Sequence, residues 1–234
     1  MDLFTIGHSN HPAGRFLEML RQHRIELIAD VRSVPHSRRH PQFNREALAE
    51  ELGQAGIGYE FLGRELGARA DDPLLYEDGR VSYSRLAATG LFQFGLDRLR
   101  ELAASRRTAI MCAEKEPLDC HRTLLVARNL LKRESGSDPN SGSDSNDVRS
   151  GKGTDPRFGS ADLRRPEPGS DPNGGSDPMH VFHILADGSL EPHHECMLRL
   201  VKMTKLPADD LFRTEAELID EACAKREEKI AFRR

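Results

Sequence analysis

The alternation of short apolar runs with helical patterns constrains the fold of this chain more than any other feature. Phe16, Leu17 and Leu20 recur at helical spacing between two apolar runs that end in polar loops, LFTIGHS and IELIADVRSVP. Farther along, strand-like and helix-like segments alternate again, ending with HVFHIL and HECMLRLVKMTK. This order predicts an α/β domain with a mostly parallel sheet and helices on both faces, a Rossmann-like three-layer arrangement.

A low-complexity segment at residues 134–178 interrupts this pattern with repeated Gly-Ser-Asp motifs. It holds nine acidic and five basic residues, so it carries the entire net charge of −4, and the other 29 acids and 29 bases balance. Such a segment has too little apolar surface to offset the entropy of ordering it, which predicts disorder. We expect one domain formed by residues 1–133 and 179–205, a disordered insertion at 134–178, and a charged, solvated helical tail at 206–234.

Composition and charge exclude several functional classes. A net charge of −4 argues against a surface coated in positive charge for indiscriminate nucleic-acid binding. The first residues lack a signal-like pattern and no apolar run approaches membrane-spanning length, so we expect a cytoplasmic protein with no membrane partner. The four cysteines are expected to be free thiols rather than a disulfide framework. None of these features predicts the oligomeric state.

Polar residues follow several of the predicted strands, and ligands bind outside the carboxyl ends of the strands in open parallel sheets. The richest of these loops, residues 30–45, contains four arginines against one acid. Arginine forks match phosphate and carboxylate oxygens, and serine hydroxyls add donors. We therefore expect an anion to be bound here by Arg32, Ser33, Arg38 and Arg39. The alternative is a solvated loop whose arginines pair with acids elsewhere in the chain.

The loop after the first strand reads Gly7-His8-Ser9-Asn10. Its backbone N–H groups could approach a phosphate at the start of the next helix, with His8 as an acid or base. Alternatively, Ser9 or Asn10 caps that helix. The segment lacks the spaced glycines of a dinucleotide-binding fingerprint, so no such cofactor is predicted.

The segment MCAEKEPLDCHR, residues 111–122, places Cys112 at a predicted strand end and Cys120 at the start of a helix. A thiol at a helix N-terminus has a lowered pKa, and Arg122 could hold an anion at the same point. A zinc site from Cys112, Cys120 and His121, with His183 as a further ligand, is one alternative. The sequence gap between the two cysteines departs, however, from the spacings that are common in zinc and redox sites. A second alternative is that both cysteines are small buried thiols that pack in the core. No cofactor is predicted, with zinc as a minor alternative.

Five sequence segments carry a resemblance to a known family: TIGHSN, DVRSVPHSRRHPQFN, GIGYEFLGRELGAR, MCAEKEPLDCHR and VFHILADGSLEPHH. As a set, they resemble the domain of unknown function 488 family. The resemblance covers roughly residues 1–133 and 179–200, and the insertion departs from the compact family pattern. It implies that one pocket contains Gly7, His8, Ser9, Asp30, Arg32, Arg38, Cys112, Glu114, Cys120, His121 and Arg122.

Three functional hypotheses follow from these residues. The leading one is an enzyme that binds a phosphate-bearing ligand, a nucleotide or nucleic-acid component, and catalyses hydrolysis or glycosidic-type cleavage. Arg32, Arg38 and Arg122 would hold the anion, Glu114 or Asp30 would be the general base, and His8 or His121 the acid. The second hypothesis is a non-catalytic module that senses a nucleotide or binds nucleic acid. The third is thiol or sulfur-transfer chemistry through Cys120.

Overall fold

The structure, a computed structural model, describes residues 1–134, 178–206 and 213–234. The strands are β1 Asp2–Gly7, β2 Leu27–Asp30, β3 Gly58–Phe61, β4 Tyr76–Glu77, β5 Arg80–Val81, β6 Thr108–Cys112, β7 His180–Ile184 and β8 Leu190–Pro192. The helices are α1 Ala13–Gln22, α2 Arg45–Gln54, α3 Tyr83–Ala87, α4 Gly90–Ser105, α5 Arg128–Glu134, α6 His193–Met203 and α7 Glu215–Ile230. A π-helical segment, Arg122–Ala127, leads directly into α5. Of the predicted disordered insertion at 134–178, residues 135–177 lie outside the described ranges, and Glu134 is the last residue of α5.

Six strands form one sheet in the order β3-β2-β6-β1-β7-β8, and β4 and β5 form a separate hairpin. The first five strands of that order run parallel, and β8 pairs antiparallel with β7 at the edge. The predicted mostly parallel sheet is therefore confirmed. Local periodicity does not reveal this order, because β6 inserts between β1 and β2, the two strands that flank the first predicted helix.

Helices cover both faces of the sheet, which confirms the predicted three-layer arrangement. Buried residues of α1 and α2, including Phe16, Leu20 and Leu52, pack with Ile28 and Met111 on one face. The other face carries buried residues of α4, α5, α6 and α7. In the described ranges, no helix has both the length and the apolar character needed to cross a bilayer.

Helix α7 differs from the solvated tail that its charged sequence predicts. A capping box between Thr214 and Glu217 starts the helix. Leu218, Ala222 and Cys223 are buried in the same core as α4 and α6. The charges that dominate the sequence lie on the other faces of the helix, so a sparse apolar stripe is enough to dock it.

The strand order creates a crevice next to β6. Helix α2, the first helix after β2, packs on one face of the sheet, and α5, which follows β6, packs on the other. Adjacent strands β2 and β6 therefore send their chains to opposite faces, the arrangement at which α/β sheets bind ligands.

Candidate functional site

A cavity of about 210 Å³ opens at the carboxyl edge of β2 and β6. Six residues that the sequence nominated line it: Arg32, Ser33, Cys112, Glu114, Cys120 and His121. The rest of the wall comes from Val34, Ala68, Arg69, Tyr83, Ala113, Asp119, Ile230 and Phe232. The loops after two central strands and the C-terminal helix thus meet at one place.

Arg32 is held in the cavity wall by Asp30, the last residue of β2. The Asp30 carboxylate is fully buried and accepts hydrogen bonds from Nε of Arg32 at 2.9 Å and from Nη2 at 2.6 Å. It also accepts the backbone N–H of Arg32 at 3.0 Å and the hydroxyl of Tyr59 at 2.7 Å. Burial and the Asp30 charge raise the pKa of Tyr59, so its hydroxyl stays protonated and donates. Asp30 therefore positions Arg32.

His8 lies behind Arg32 as a neutral ring. Nη1 of Arg32 lies 3.1 Å from Nε2 of His8, and Nδ1 of His8 lies 2.9 Å from the carbonyl oxygen of Ser9. Because a guanidinium and a carbonyl can only donate and accept respectively, Nδ1 carries the proton and Nε2 accepts. Burial, and then the charge of Arg32, lower the pKa of His8 to about 4.

Gly7 allows the loop after β6 to lie directly against the end of β1. A Cβ at Gly7 would lie 1.8 Å from the carbonyl oxygen of Glu114. The next two N–H groups, of His8 and Ser9, donate to the carbonyls of Cys112 and Ala113 at 2.9 Å each. These donors extend the sheet, so they are not aimed at a ligand.

Arg122 is fully buried and does not line the cavity. Its Nη1 donates to the carbonyl of Glu114 at 2.7 Å, and its Nη2 to that of Lys115 at 3.4 Å. Its Nε has no hydrogen-bond partner among the described residues. The guanidinium thus fixes the loop after β6 and supplies positive charge beneath the two cysteines.

Cys112, Cys120 and His121 form a compact cluster in the cavity wall. Nδ1 of His121 lies 3.6 Å from Sγ of Cys112 and 3.9 Å from Sγ of Cys120. Burial alone would raise the pKa of the Cys120 thiol, but the hydrogen bond from Cys112 and the charge of Arg122 bring that pKa well below its usual value. The same hydrogen bond, together with burial, raises the pKa of Cys112. The two directions favour negative charge on Cys120 over Cys112.

Glu114 follows the end of β6 and contributes a solvent-exposed carboxylate to the cavity. Partial desolvation, and then the negative charge of Cys120, raise the pKa of this carboxyl group. Of the two carboxylates that the sequence proposed as a base, Glu114 therefore faces the cavity, whereas Asp30 is occupied by Arg32.

Several residues of the site were not nominated from the sequence. Arg69 lies over the ring of Phe232 at 4.6 Å, and its backbone N–H donates to Oγ of Ser33 at 3.0 Å. Close backbone approaches at Gly63 and Gly67 pack their loop against Arg32 and Ser33. The motif GIGYEFLGRELGAR, quoted only for the family resemblance, contains Arg69 and both glycines; Phe232 gave no local signal.

Besides Gly7 and Arg122, five nominated ligand-binding residues lie outside the cavity lining: Ser9, Asn10, Arg38, Arg39 and His183. The Ser9 hydroxyl donates to Asn10 at 3.2 Å, and neither side chain caps α1. Arg38 and Arg39 are exposed on the loop that leads away from Ser33. His183 is buried in a hydrogen-bonded row, 2.7 Å from the Thr5 hydroxyl and 3.1 Å from His193.

The histidine row makes stability depend on pH. Burial, and then the charge of Arg128, lower the pKa of His193 to about 4, while the unfolded ring titrates near 6.5. Its contribution is complete above pH 6.5 and is lost as the pH falls toward 4, because the unfolded state binds the proton first. We expect His193 to account for about 2 kcal/mol of the stability lost between pH 7 and pH 5.

Urea unfolding at the two pH values measures this loss, and His193→Gln should reduce it. His36→Gln, at an exposed histidine, is the control. An unchanged pH dependence in His193→Gln would contradict the assignment.

One known protein family matches the part of the chain that carries most of the cavity wall. The family described as Domain of unknown function DUF488 matches residues 12–129, which are 118 of the 234 residues and include the cavity wall except for Ile230 and Phe232. No curated protein and no solved structure matches the chain. The chain belongs to the DUF488 family.

Proposed function

We propose that this protein is an enzyme that binds a phosphate-bearing ligand, a nucleotide or nucleic-acid component, and cleaves it by hydrolysis or glycosidic-type chemistry. The observation that carries the proposal is the lining of one cavity by two guanidinium groups and the Glu114 carboxylate. Cations bind the anionic part of such a ligand, and a carboxylate next to it can move a proton.

Arg32 keeps part of its donor capacity for a ligand. A guanidinium has five N–H donors, and Asp30 and His8 engage Nε and one hydrogen on each of the two Nη atoms. Two N–H groups therefore remain on a guanidinium that cannot rotate away. An anchored donor loses little entropy on binding, which suits an anion-binding role.

Arg69 brings a second positive charge to the cavity. It forms no ion pair with any residue of the described ranges, and its guanidinium lies over the Phe232 ring. Since the Asp30 carboxylate pairs with Arg32, Arg69 is the lining cation that can form a direct ion pair with an anion. The Glu114 carboxylate in the same wall opposes the approach of that anion. The hydroxyl hydrogen of Ser33 is also available, because Ser33 accepts from Arg69 N–H.

The cavity suits the reacting part of a larger ligand. Its volume of about 210 Å³ lies below the roughly 300–1,000 Å³ typical of sites that enclose a whole small molecule. A phosphate with an adjoining sugar would occupy it, and the rest would extend past Val34, which is 55% exposed at the rim. Exposed Arg38 and Arg39 follow on the same loop and could contact further phosphates.

Thermal-shift titration with nucleotides, sugar phosphates and short oligonucleotides tests the proposal, followed by a product assay on any ligand that binds. We expect Arg69→Ala to weaken binding about tenfold or more, the loss of one charge-assisted contact. Glu114→Gln should retain binding and lower turnover about a hundredfold.

The matched control is Arg21→Ala, an exposed arginine of α1. Binding that Arg69→Ala leaves unchanged would refute the anion site. Full turnover in Glu114→Gln would remove its catalytic role, and binding without any turnover by the wild-type protein would favour the non-catalytic module.

A further inference from the structure

We propose that Cys112, Cys120 and His121 bind one zinc ion whose remaining coordination position opens into the cavity. The potential ligand atoms, the two Sγ atoms and Nδ1 of His121, all lie within 4.8 Å of one another. Two thiolates and one imidazole form a donor set that favours zinc over magnesium or calcium. This inference goes beyond the proposed anion binding and does not depend on it.

The spacing of the ligand atoms fits tetrahedral coordination. With Zn–S near 2.3 Å and Zn–N near 2.05 Å, sulfur and nitrogen at a tetrahedral angle lie about 3.6 Å apart. The observed distances from Nδ1 of His121 are 3.6 Å to Cys112 and 3.9 Å to Cys120. Both distances lie within a few tenths of an ångström of the tetrahedral value, and the two Sγ atoms lie within 4.8 Å of each other.

The orientation of His121 is set by a backbone group. Its Nε2 lies 3.0 Å from the carbonyl oxygen of Val31, which can only accept, so Nε2 carries the hydrogen. The lone pair of Nδ1 then points toward the two sulfur atoms. A carbonyl that holds the second ring nitrogen is the usual support of a metal-binding histidine.

The three ligands sit on two rigid elements, because Cys120 and His121 are consecutive residues at one helix start and Cys112 lies on a strand. Cys112 ends β6, and the carbonyl of Cys120 accepts the N–H groups of Thr123 and Leu124 at the start of the following helix. Val31 directly follows β2, beside β6. Unlike a short C-x-x-C turn, this arrangement brings a strand end and a helix start together, which explains why the long sequence gap does not separate the sulfur atoms.

The cavity gives the site an open position. All three ligand residues and Glu114 line it. Glu114 or an oxygen atom of solvent or substrate can therefore complete the coordination, as in catalytic rather than closed structural zinc sites. His183, which the sequence suggested as a further ligand, is instead engaged with Thr5 and His193.

The test is metal analysis of the full chain purified under reducing conditions without chelator. We expect about one zinc per chain, and cobalt(II) substitution should give thiolate-to-metal charge-transfer absorption. Cys112→Ser, Cys120→Ser and His121→Gln should each lower zinc affinity at least tenfold. Cys223→Ala, a buried cysteine of α7 outside the cluster, and Arg69→Ala should bind like the wild type.

The spectrum of the wild-type protein decides the question even if a cysteine variant fails to fold. Folded wild-type protein that takes up neither zinc nor cobalt would overturn the inference, as would a cobalt spectrum that Cys112→Ser or His121→Gln leaves unchanged. A Cys112–Cys120 disulfide in metal-free protein would assign the pair to redox chemistry instead. Since Arg69→Ala probes anion binding separately, failure of either proposal is distinguishable from failure of the other.

Discussion

Asp30→Asn is expected to lower the free energy of unfolding by about 3–5 kcal/mol, the range for removing one partner of a buried ion pair. The Arg32 side chain is 6% exposed, and the Asp30 carboxylate is its only negatively charged partner among the described residues. Asparagine keeps the shape but presents an N–H₂ group to a guanidinium that can only donate. The loss of stability therefore has two causes: the buried Arg32 charge is left unpaired, and two groups that can only donate face each other.

Urea unfolding measures this loss, with Glu18→Gln as the control. Glu18 and Arg15 form an exposed pair at 3.3 Å, whose removal should cost below about 0.5 kcal/mol. The double variant Asp30→Asn, Arg32→Met should recover part of the loss, because the stranded charge is gone. A loss for Asp30→Asn as small as that for Glu18→Gln would show that the pair does not anchor the site.

Gly7→Ala is the second substitution with a large expected effect, about 3 kcal/mol of destabilisation. The added Cβ would lie 1.8 Å from the Glu114 carbonyl oxygen, so the loop after β6 must move. That movement would also strain the 2.7 Å hydrogen bond from Arg122 to the same carbonyl. Glu114 would leave its place in the cavity, and ligand binding should weaken together with stability.

Gly14→Ala is the matched control for this substitution. Gly14 lies in α1, and a methyl group added there would meet no atom within 4 Å, so alanine should stabilise the helix by about 0.5–1 kcal/mol. Thermal denaturation of both variants checks the prediction. Opposite signs are expected, and a neutral or stabilising Gly7→Ala would contradict the close approach.

Local sequence predicted the elements better than their arrangement. Apolar runs and helical periodicity identified β1, α1 and β6, because burial of one face leaves its period in the sequence. The insertion of β6 between β1 and β2 depends on pairing between segments about 80–100 residues apart, and no local pattern encodes that choice. The docking of α7 escaped prediction because its apolar stripe is sparse among many charges.

For the site, too, the sequence predicted the location but not the arrangement. Strand-end loops pointed to Arg32, Glu114 and Cys120, since ligands collect at the carboxyl edge of a parallel sheet. The role of each side chain depended on its neighbours. Asp30 holds Arg32 in place, and Arg122 fixes the loop after β6. From the sequence alone, the aspartate is equally consistent with direct catalysis and the arginine with anion binding.

The amino-acid sequence by itself determined the fold class, the family and the edge of the sheet at which chemistry can occur, because periodicity and strand-end composition are local properties. Only the tertiary structure decided which polar groups face the cavity, brought Arg69 and Phe232 into its wall, and placed His121 Nδ1 beside both cysteines. These outcomes depend on contacts between distant segments, and burial and partner geometry then set each group's charge and orientation.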